Sequence, residues 1–453
     1  MSGRTVAAIS TALGQSALGV IRISGDMAIE VADKVFFPLS GKKLADLKGY
    51  TAAYGQVKDG DSVVDDGVAL VFRAPNSFTG EDTVEISLHG GSIILRDTLR
   101  LILNNGAFPA EAGEFTKRAF LNGKTDLTRA ESIMGLISAE SEAQLKLSRA
   151  AHLGKTAEKI EEIITHLTKA DAAISVYSDY PDEDIEGLDR ESFSLMLKNA
   201  KESLEEMLGS YDAGKILREG IETAIVGKPN VGKSSIMNML SQADRSIVTD
   251  IAGTTRDVIE ETVKLGDIIL RLADTAGIRD TGDTIESIGV ELALKRMETA
   301  QLVLAVFDCS RELDSDDLRL LESLKGKNVL VIINKTDLDS KIDTNIFKDF
   351  SLVEISAKDN KGLQELKEKV ACISGLNNIS PDSANLINER QRSCAKRALD
   401  AVDEAYGAIM AGQTLDAVGI CVDDALDALF ELTGRRVTNE VADEIFRSFC
   451  VGK

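Results

Sequence analysis

Residues 227–234 read Gly227-Lys228-Pro229-Asn230-Val231-Gly232-Lys233-Ser234, which fits GxxxxGK[ST]. The strand-like Thr223-Ala224-Ile225-Val226 precedes this stretch and an apolar helix beginning near Ser235 follows it, the order a phosphate-binding loop requires. Backbone N–H groups of such a loop, together with the helix N-terminus, surround phosphate oxygens. Lys233 then meets the β and γ oxygens and Ser234 offers its hydroxyl to Mg2+, with Asn230, Val231, Gly232 and Ser235 as further nucleotide contacts. The segment predicts an α/β P-loop nucleoside-triphosphate-binding domain.

Spacing downstream selects the nucleotide. Asp274-Thr275-Ala276-Gly277 follows the apolar run Ile268–Leu272, which puts a carboxylate near the metal and a glycine N–H near the γ-phosphate. Asn334-Lys335-Thr336-Asp337 follows the apolar run 329–333. The Asp337 carboxylate accepts from both N1–H and the 2-amino group of guanine, which adenine does not supply, while Lys335 lies along the base. Ser356-Ala357-Lys358, after the run 352–355, completes the base pocket. Guanine is chosen through hydrogen bonds that the wrong base leaves unmade. Gly253-Thr254-Thr255-Arg256-Asp257 lies where a switch loop brings a threonine to Mg2+, and Thr255 is that threonine. Small signalling GTPases follow DTAG with a glutamine that orients the attacking water, whereas this chain has Ile278. Asp283, Glu286 and Glu291 follow, and sequence physics does not choose among them. Transition-state charge also needs a cation from elsewhere.

Working outward, 453 residues at roughly 100–200 per domain predict about three domains. Residues 1–122 hold short β-type runs (5–10, 19–23, 51–57, 67–72, 83–87) and a helix over 93–103 that Ser92 is placed to cap, an α+β pattern. Residues 126–209 contain one proline, Pro181, and apolar residues at helical spacing, such as Ile160, Ile163, Ile164 and Leu167. After Pro381 the pattern returns in Leu386, Ala395, Leu399 and Val402, then in Val441, Ile445, Phe446 and Phe449, with Thr438 as N-cap. The expected fold is multidomain α/β: an N-terminal α+β domain (1–122), a discontinuous all-helical domain (123–215 and 379–453), and an inserted Ras-like P-loop GTPase domain (216–378).

The net charge of −22 argues against a surface that binds nucleic acid broadly, since phosphate affinity needs clustered Lys and Arg. The basic residues Arg390, Arg392, Lys396 and Arg397 read as one solvated helix face. Five cysteines without a CxxC pair predict free thiols, and so few histidines, three, argue against a His-based metal centre or triad. No apolar run reaches the ~18–20 residues a bilayer needs, and the N-terminus lacks a signal-peptide layout, which predicts a cytoplasmic protein with no membrane attachment. Cys450-Val451-Gly452-Lys453 has CaaX spacing, but glycine and terminal lysine oppose prenylation.

Beyond the GTPase motifs, the chain carries Arg22-Ile23-Ser24-Gly25, Phe78-Thr79-Gly80-Glu81-Asp82, a stretch from Phe115 to Lys124, and a terminal Phe449-Cys450-Val451-Gly452-Lys453. On these it resembles, from end to end, the MnmE (TrmE) family of tRNA-modification GTPases. The resemblance implies an N-terminal folate-binding and homodimerising domain and an FAD-binding partner, MnmG (GidA). The pair would install an aminomethyl or carboxymethylaminomethyl group at C5 of a tRNA wobble uridine, using a tetrahydrofolate one-carbon unit carried as the 5-formyl or 5,10-methylene form. It also implies nucleotide contacts through Thr249, Asp250, Ile251, Ala252, Gly253, Thr254 and Thr255. A K+ site would form from Asn230 and main-chain groups around Thr249, Ile251 and Thr254 when two G domains meet, and Glu286 would position the attacking water. Arg22, Glu81 and Lys124 match its folate-binding positions, with Lys453 contributing from the C-terminus, and Cys450 matches a thiol needed for modification.

Two functions are therefore expected to compete. One is a K+-activated GTPase that drives wobble-uridine modification. The other is a ribosome-assembly or signalling switch that uses the same G domain and performs no one-carbon chemistry.

Overall fold

The computed structural model describes residues 3–179, 190–242, 261–272, 297, 298, 300–375, 380 and 382–453. It divides into two compact units, residues 1–134 with 423–453, and residues 135–422.

The first unit is built on a seven-stranded sheet with strands β1 (Val6–Ile9), β2 (Ser16–Ser24), β3 (Phe36–Pro38), β4 (Thr51–Asp59), β5 (Ser62–Phe72), β6 (Thr83–Gly90) and β7 (Phe108–Pro109), in the order β3-β4-β5-β6-β2-β1-β7. Pairing is antiparallel except between β1 and β7. Alternation along β2 sends Ile21 and Ile23 into the core and leaves Arg22 on the opposite face, where it meets its cross-strand neighbour Glu85 at 2.7 Å. Helix α1 (Ser92–Asn104) lays Leu95, Thr98, Leu101 and Ile102 on the core, the three-and-four spacing of a buried helical stripe. Each such apolar side chain contributes about 1.5–3 kcal/mol on burial. Ser92 is the first helical residue, and the cap is Gly91, with no side-chain capping bond. A β-strand leading straight into the helix leaves glycine backbone where a serine hydroxyl was expected.

Helices α2 (Glu114–Leu121) and, at the chain's end, α3 (Asn439–Arg447) close this unit. Thr438 caps the latter, its hydroxyl accepting from the Val441 N–H as its sequence position predicts. Phe446 and Phe449 pack with Phe120, Leu127 and Ala130. The last residues then run along the start of α2. Gly113 N–H donates to the Cys450 carbonyl (3.3 Å), Phe115 N–H to that of Lys453 (3.0 Å), and Val451 bridges Ala112. Gly452 has φ +97, and a Cβ there would sit 2.3 Å from the Ile9 carbonyl oxygen, so this close approach accepts only glycine.

In the second unit, strands β8 (Ile221–Val226), β9 (Glu261–Leu265), β10 (Ile268–Leu272), β11 (Leu302–Asp308), β12 (Val329–Asn334) and β13 (Ser351–Glu354) form a sheet in the order β13-β12-β11-β8-β10-β9. All pairs are parallel except β9 with β10. Every residue of β11 and β12 is buried, the pattern of strands covered on both faces. The same unit holds long helices, among them Arg190–Gly209 and Glu389–Met410, which pack together and share a Lys201–Asp403 ion pair at 2.6 Å. On the second of these Arg392 pairs with Glu389 and Lys396 with Asp400, so these two members of the basic cluster are paired along their own helix. Among the described residues no helix is long and apolar enough to cross a membrane.

Candidate functional site

A cavity lies at the carboxyl ends of β8, β12 and β13, where open parallel sheets bind ligands. After β8 the chain turns through 227–232 and enters the helix Lys233–Gln242. This turn needs its glycines. Gly232 has φ +99, and a Cβ there would lie 2.1 Å from Asn334 Nδ2. Lys233 Nζ donates to the carbonyls of Gly227 and Lys228, both at 2.7 Å, and burial pushes its pKa down. Those carbonyls hold the ammonium over the loop where phosphate oxygens would meet it. Ser234 and Ser235 are exposed on the helix's first turn, and Asn230 is exposed at φ +64.

Asn334 joins the separate motifs. Its Nδ2 donates to the Val231 carbonyl of the phosphate loop (2.9 Å), while its Oδ1 accepts from Ala357 N–H (3.2 Å). The side chain is buried, so both bonds form away from competing water. A cavity of about 600 Å³ opens here, lined by Gly232, Ser235, Lys335, Asp337, Ala357 and Lys358 among others. Asp337 Oδ1 accepts from Ser356 Oγ at 2.9 Å, with Lys358 at 3.7 Å. The Ser356 bond and the nearby ammonium hold its carboxyl below the usual aspartate range. An ionised, acceptor-only group therefore lines the cavity.

Thr249, Asp250, Ile251, Ala252, Gly253, Thr254, Thr255, Asp274, Thr275, Ala276, Gly277 and Glu286 lie outside the described residues.

A second set of expected residues lies in the first unit. Arg22 stands 5.3 Å from the Phe78 ring centroid and 5.4 Å from that of Phe115. Glu81 accepts from Ser24 Oγ (2.9 Å) and from Arg118 Nη1 (2.9 Å), and Arg118 also grips Glu114 at 2.6 Å. Burial opposes the charge on Arg118, but its bonds to Glu114 and Glu81 outweigh this and raise its pKa. Lys124 Nζ donates to the Pro75 carbonyl at 3.0 Å. Through the bond from Phe115 N–H, the Lys453 backbone reaches the same helix that carries Arg118. Cys450 is an exposed free thiol.

Comparison with known proteins covers the chain from residue 5 to residue 450. A family profile described as "GTP-binding protein TrmE N-terminus" matches residues 5–124, and one described as "MnmE helical domain" matches residues 127–450. The chain belongs to the MnmE family of tRNA modification GTPases. It is 39% identical to the tRNA modification GTPase MnmE of Clostridioides difficile over 99% of both chains. It is 42% identical to that of Lactococcus lactis subsp. cremoris strain MG1363 over 99% of this chain and 98% of the relative. Among solved structures, the G domain of the T. maritima FeoB iron transporter aligns over 34% of this chain and 98% of its own at 26% identity, with a TM-score of 0.26. As a member of the MnmE family the protein is a GTPase, and the expected multidomain α/β architecture with a P-loop GTPase domain holds.

Two residues at these sites escaped the sequence reading. Arg118 was visible only as part of the Phe115–Lys124 stretch, although the Glu114/Arg118 spacing of four on one helix is a signal for a paired cation. Asp308 ends an apolar strand beside Asn334, and a lone carboxylate closing such a run was its only mark.

Proposed function

We propose that this GTPase couples K+-activated hydrolysis, driven by meeting G domains, to modification of tRNA. With an FAD-dependent partner of the MnmG (GidA) kind it would add an aminomethyl or carboxymethylaminomethyl group at C5 of the wobble uridine, drawing on a tetrahydrofolate one-carbon unit. The observation that carries this reading is likeness over 99% of both chains to a tRNA modification GTPase, in a chain whose base cavity is lined by an ionised Asp337. In this reading the domains span 1–122, 123–215 with 379–453, and 216–378, and the protein is cytoplasmic and dimerises through the first.

Roles follow from the chemistry of the groups. GTP or GDP would sit over 230–235 and against Asn334, Lys335, Asp337, Ser356, Ala357 and Lys358. Ser234, exposed at the start of its helix, and Thr255 would hold Mg2+. Asn230, whose side chain is exposed from a left-handed turn, fits a K+ ligand set with the backbone of Thr249, Ile251 and Thr254. Bound there, K+ would supply the positive charge that arginine supplies in other GTPases. Glu286 would orient the attacking water. Replacing K+ by Na+ is expected to lower the steady-state hydrolysis rate at least tenfold, and equal rates in the two salts would remove the potassium assignment.

Arg22, Glu81, Lys124 and Lys453 would bind the folate, where a carboxylate suits the pterin's N–H and 2-amino edge and cations suit its glutamate tail. With a net charge of −22, tRNA must be engaged at a narrow site or through the partner. Mass spectrometry of tRNA nucleosides from a deletion strain tests the whole reading. Loss of the C5-modified wobble uridine is expected, as is its absence from a strain carrying Cys450→Ser. Intact modification after deletion would leave a binding switch of the ribosome-assembly or signalling type.

A further inference from the structure

Lys335 is expected to lie along the guanine base, yet a lysine side chain on a cavity wall has many rotamers and loses them when a ligand fixes it. Here it is already fixed at three points. Its backbone sits in the left-handed region at φ +67, and its carbonyl accepts from Cys309 Sγ at 3.0 Å. Its Nζ donates to Asp308 Oδ2 at 2.5 Å.

Asp308 is itself built in. It ends β11, paired in register with Asn334 of β12, and its side chain is only 8% exposed. Its other oxygen accepts from Ser310 N–H (2.9 Å) and Ser310 Oγ (2.6 Å). Burial alone would favour the neutral acid, but the bonds from Lys335 and Ser310 prevail and keep it ionised. Asp308 does not line the base cavity. A buried carboxylate held by one serine from behind and aimed at one ammonium in front has a single evident use.

We infer that Asp308 is a positioning residue for guanine-nucleotide binding, holding Lys335 extended along the pocket wall before the nucleotide arrives. The inference rests on the guanine-pocket reading and adds to it a group that never touches the ligand. Because Asp308 acts only through Lys335, its effect must vanish when Lys335 is absent. It must also spare the recognition of the 2-amino group, which belongs to Asp337.

Titration of the full-length protein with fluorescently labelled GDP, and competition with unlabelled IDP, reads both points. Asp308→Asn is expected to weaken GDP about three- to tenfold, the cost of immobilising one long side chain at binding. The GDP:IDP ratio should not change. In a Lys335→Ala background the same substitution is expected to add nothing. An unchanged GDP affinity, or an equal loss with and without Lys335, overturns the inference. Failure of the unsubstituted protein to bind GDP would instead overturn the pocket reading. If Asp308→Asn does not fold, Ser310→Ala tests the same link. It should weaken GDP about twofold only when Lys335 is present, and no change overturns the inference.

Discussion

Asp337→Asn is expected to convert the guanine-nucleotide site into one that prefers xanthosine nucleotides. The carboxylate is held ionised by the Ser356 hydroxyl and by Lys358, and Ser356 occupies only one of its oxygens. The remaining lone pairs accept the two neighbouring donors of guanine. Asparagine keeps the shape but places an amide N–H₂ against a guanine N–H, donor facing donor. Xanthine offers a 2-carbonyl at that position and accepts what asparagine donates. Sites that read a base through such bonds reject the wrong ligand by about 10⁴–10⁵. Losing one charge-assisted bond to a donor–donor clash and the charge behind the other should therefore weaken GDP by about 10²–10³, with XDP gaining. Competition binding with GDP and XDP on the two proteins measures this, and unchanged selectivity would sink the base-pocket assignment. The sign of the pH response follows from the same geometry. Because the folded pKa of Asp337 is depressed, its ionised form persists as pH falls past the usual aspartate range and is lost only below it.

The G domain was legible because its signals are local. The phosphate loop, the strand Ile268–Leu272 and the base-reading turns each announce themselves by a glycine pattern or an apolar run, and the four strands expected there fall within two residues of the observed ones, whereas β9 and β11 carry no motif that marks them. The helix after the loop starts at Lys233 rather than near Ser235, since the loop lysine already takes helical backbone. In the N-terminal sheet the five strong runs appear as strands, whereas the strands β3 and β7 carry no such run, being three and two residues long and each ending in proline. So short an edge strand is specified by the neighbour it pairs with, not by its own pattern. Side-chain partners were the least legible. Neither the Asp308–Lys335 pair, 27 residues apart, nor Glu81 with Arg118, 37 apart, has any periodic trace. Both exist only because strand order and a helix packing onto the sheet bring them together.

Glu81→Gln is expected to abolish binding of 5-formyltetrahydrofolate while leaving GTP hydrolysis intact. Glu81 is held from two sides, by Ser24 from β2 and by Arg118 from α2, and its side chain is still 18% exposed. A carboxylate has about four acceptor positions, and Ser24 Oγ with the single Arg118 Nη1, which spans both oxygens at 2.9 and 3.2 Å, does not fill them. Glutamine removes one acceptor oxygen and the charge at nearly constant volume. It substitutes an N–H₂ that faces either Arg118 or the ligand, and either orientation sets donor against donor. Arg118 retains Glu114, so the pocket wall stays in place. Isothermal calorimetry of the purified protein should show saturable heat for the unsubstituted chain and none for Glu81→Gln at the same concentrations. A melting temperature within a few degrees of the parent would place the loss in recognition. Glu81→Ala removes the anchor as well and should bind no better. If the folate binds Glu81→Gln with unchanged affinity, the carboxylate is a structural partner of Arg118 alone and the folate must be read by other groups.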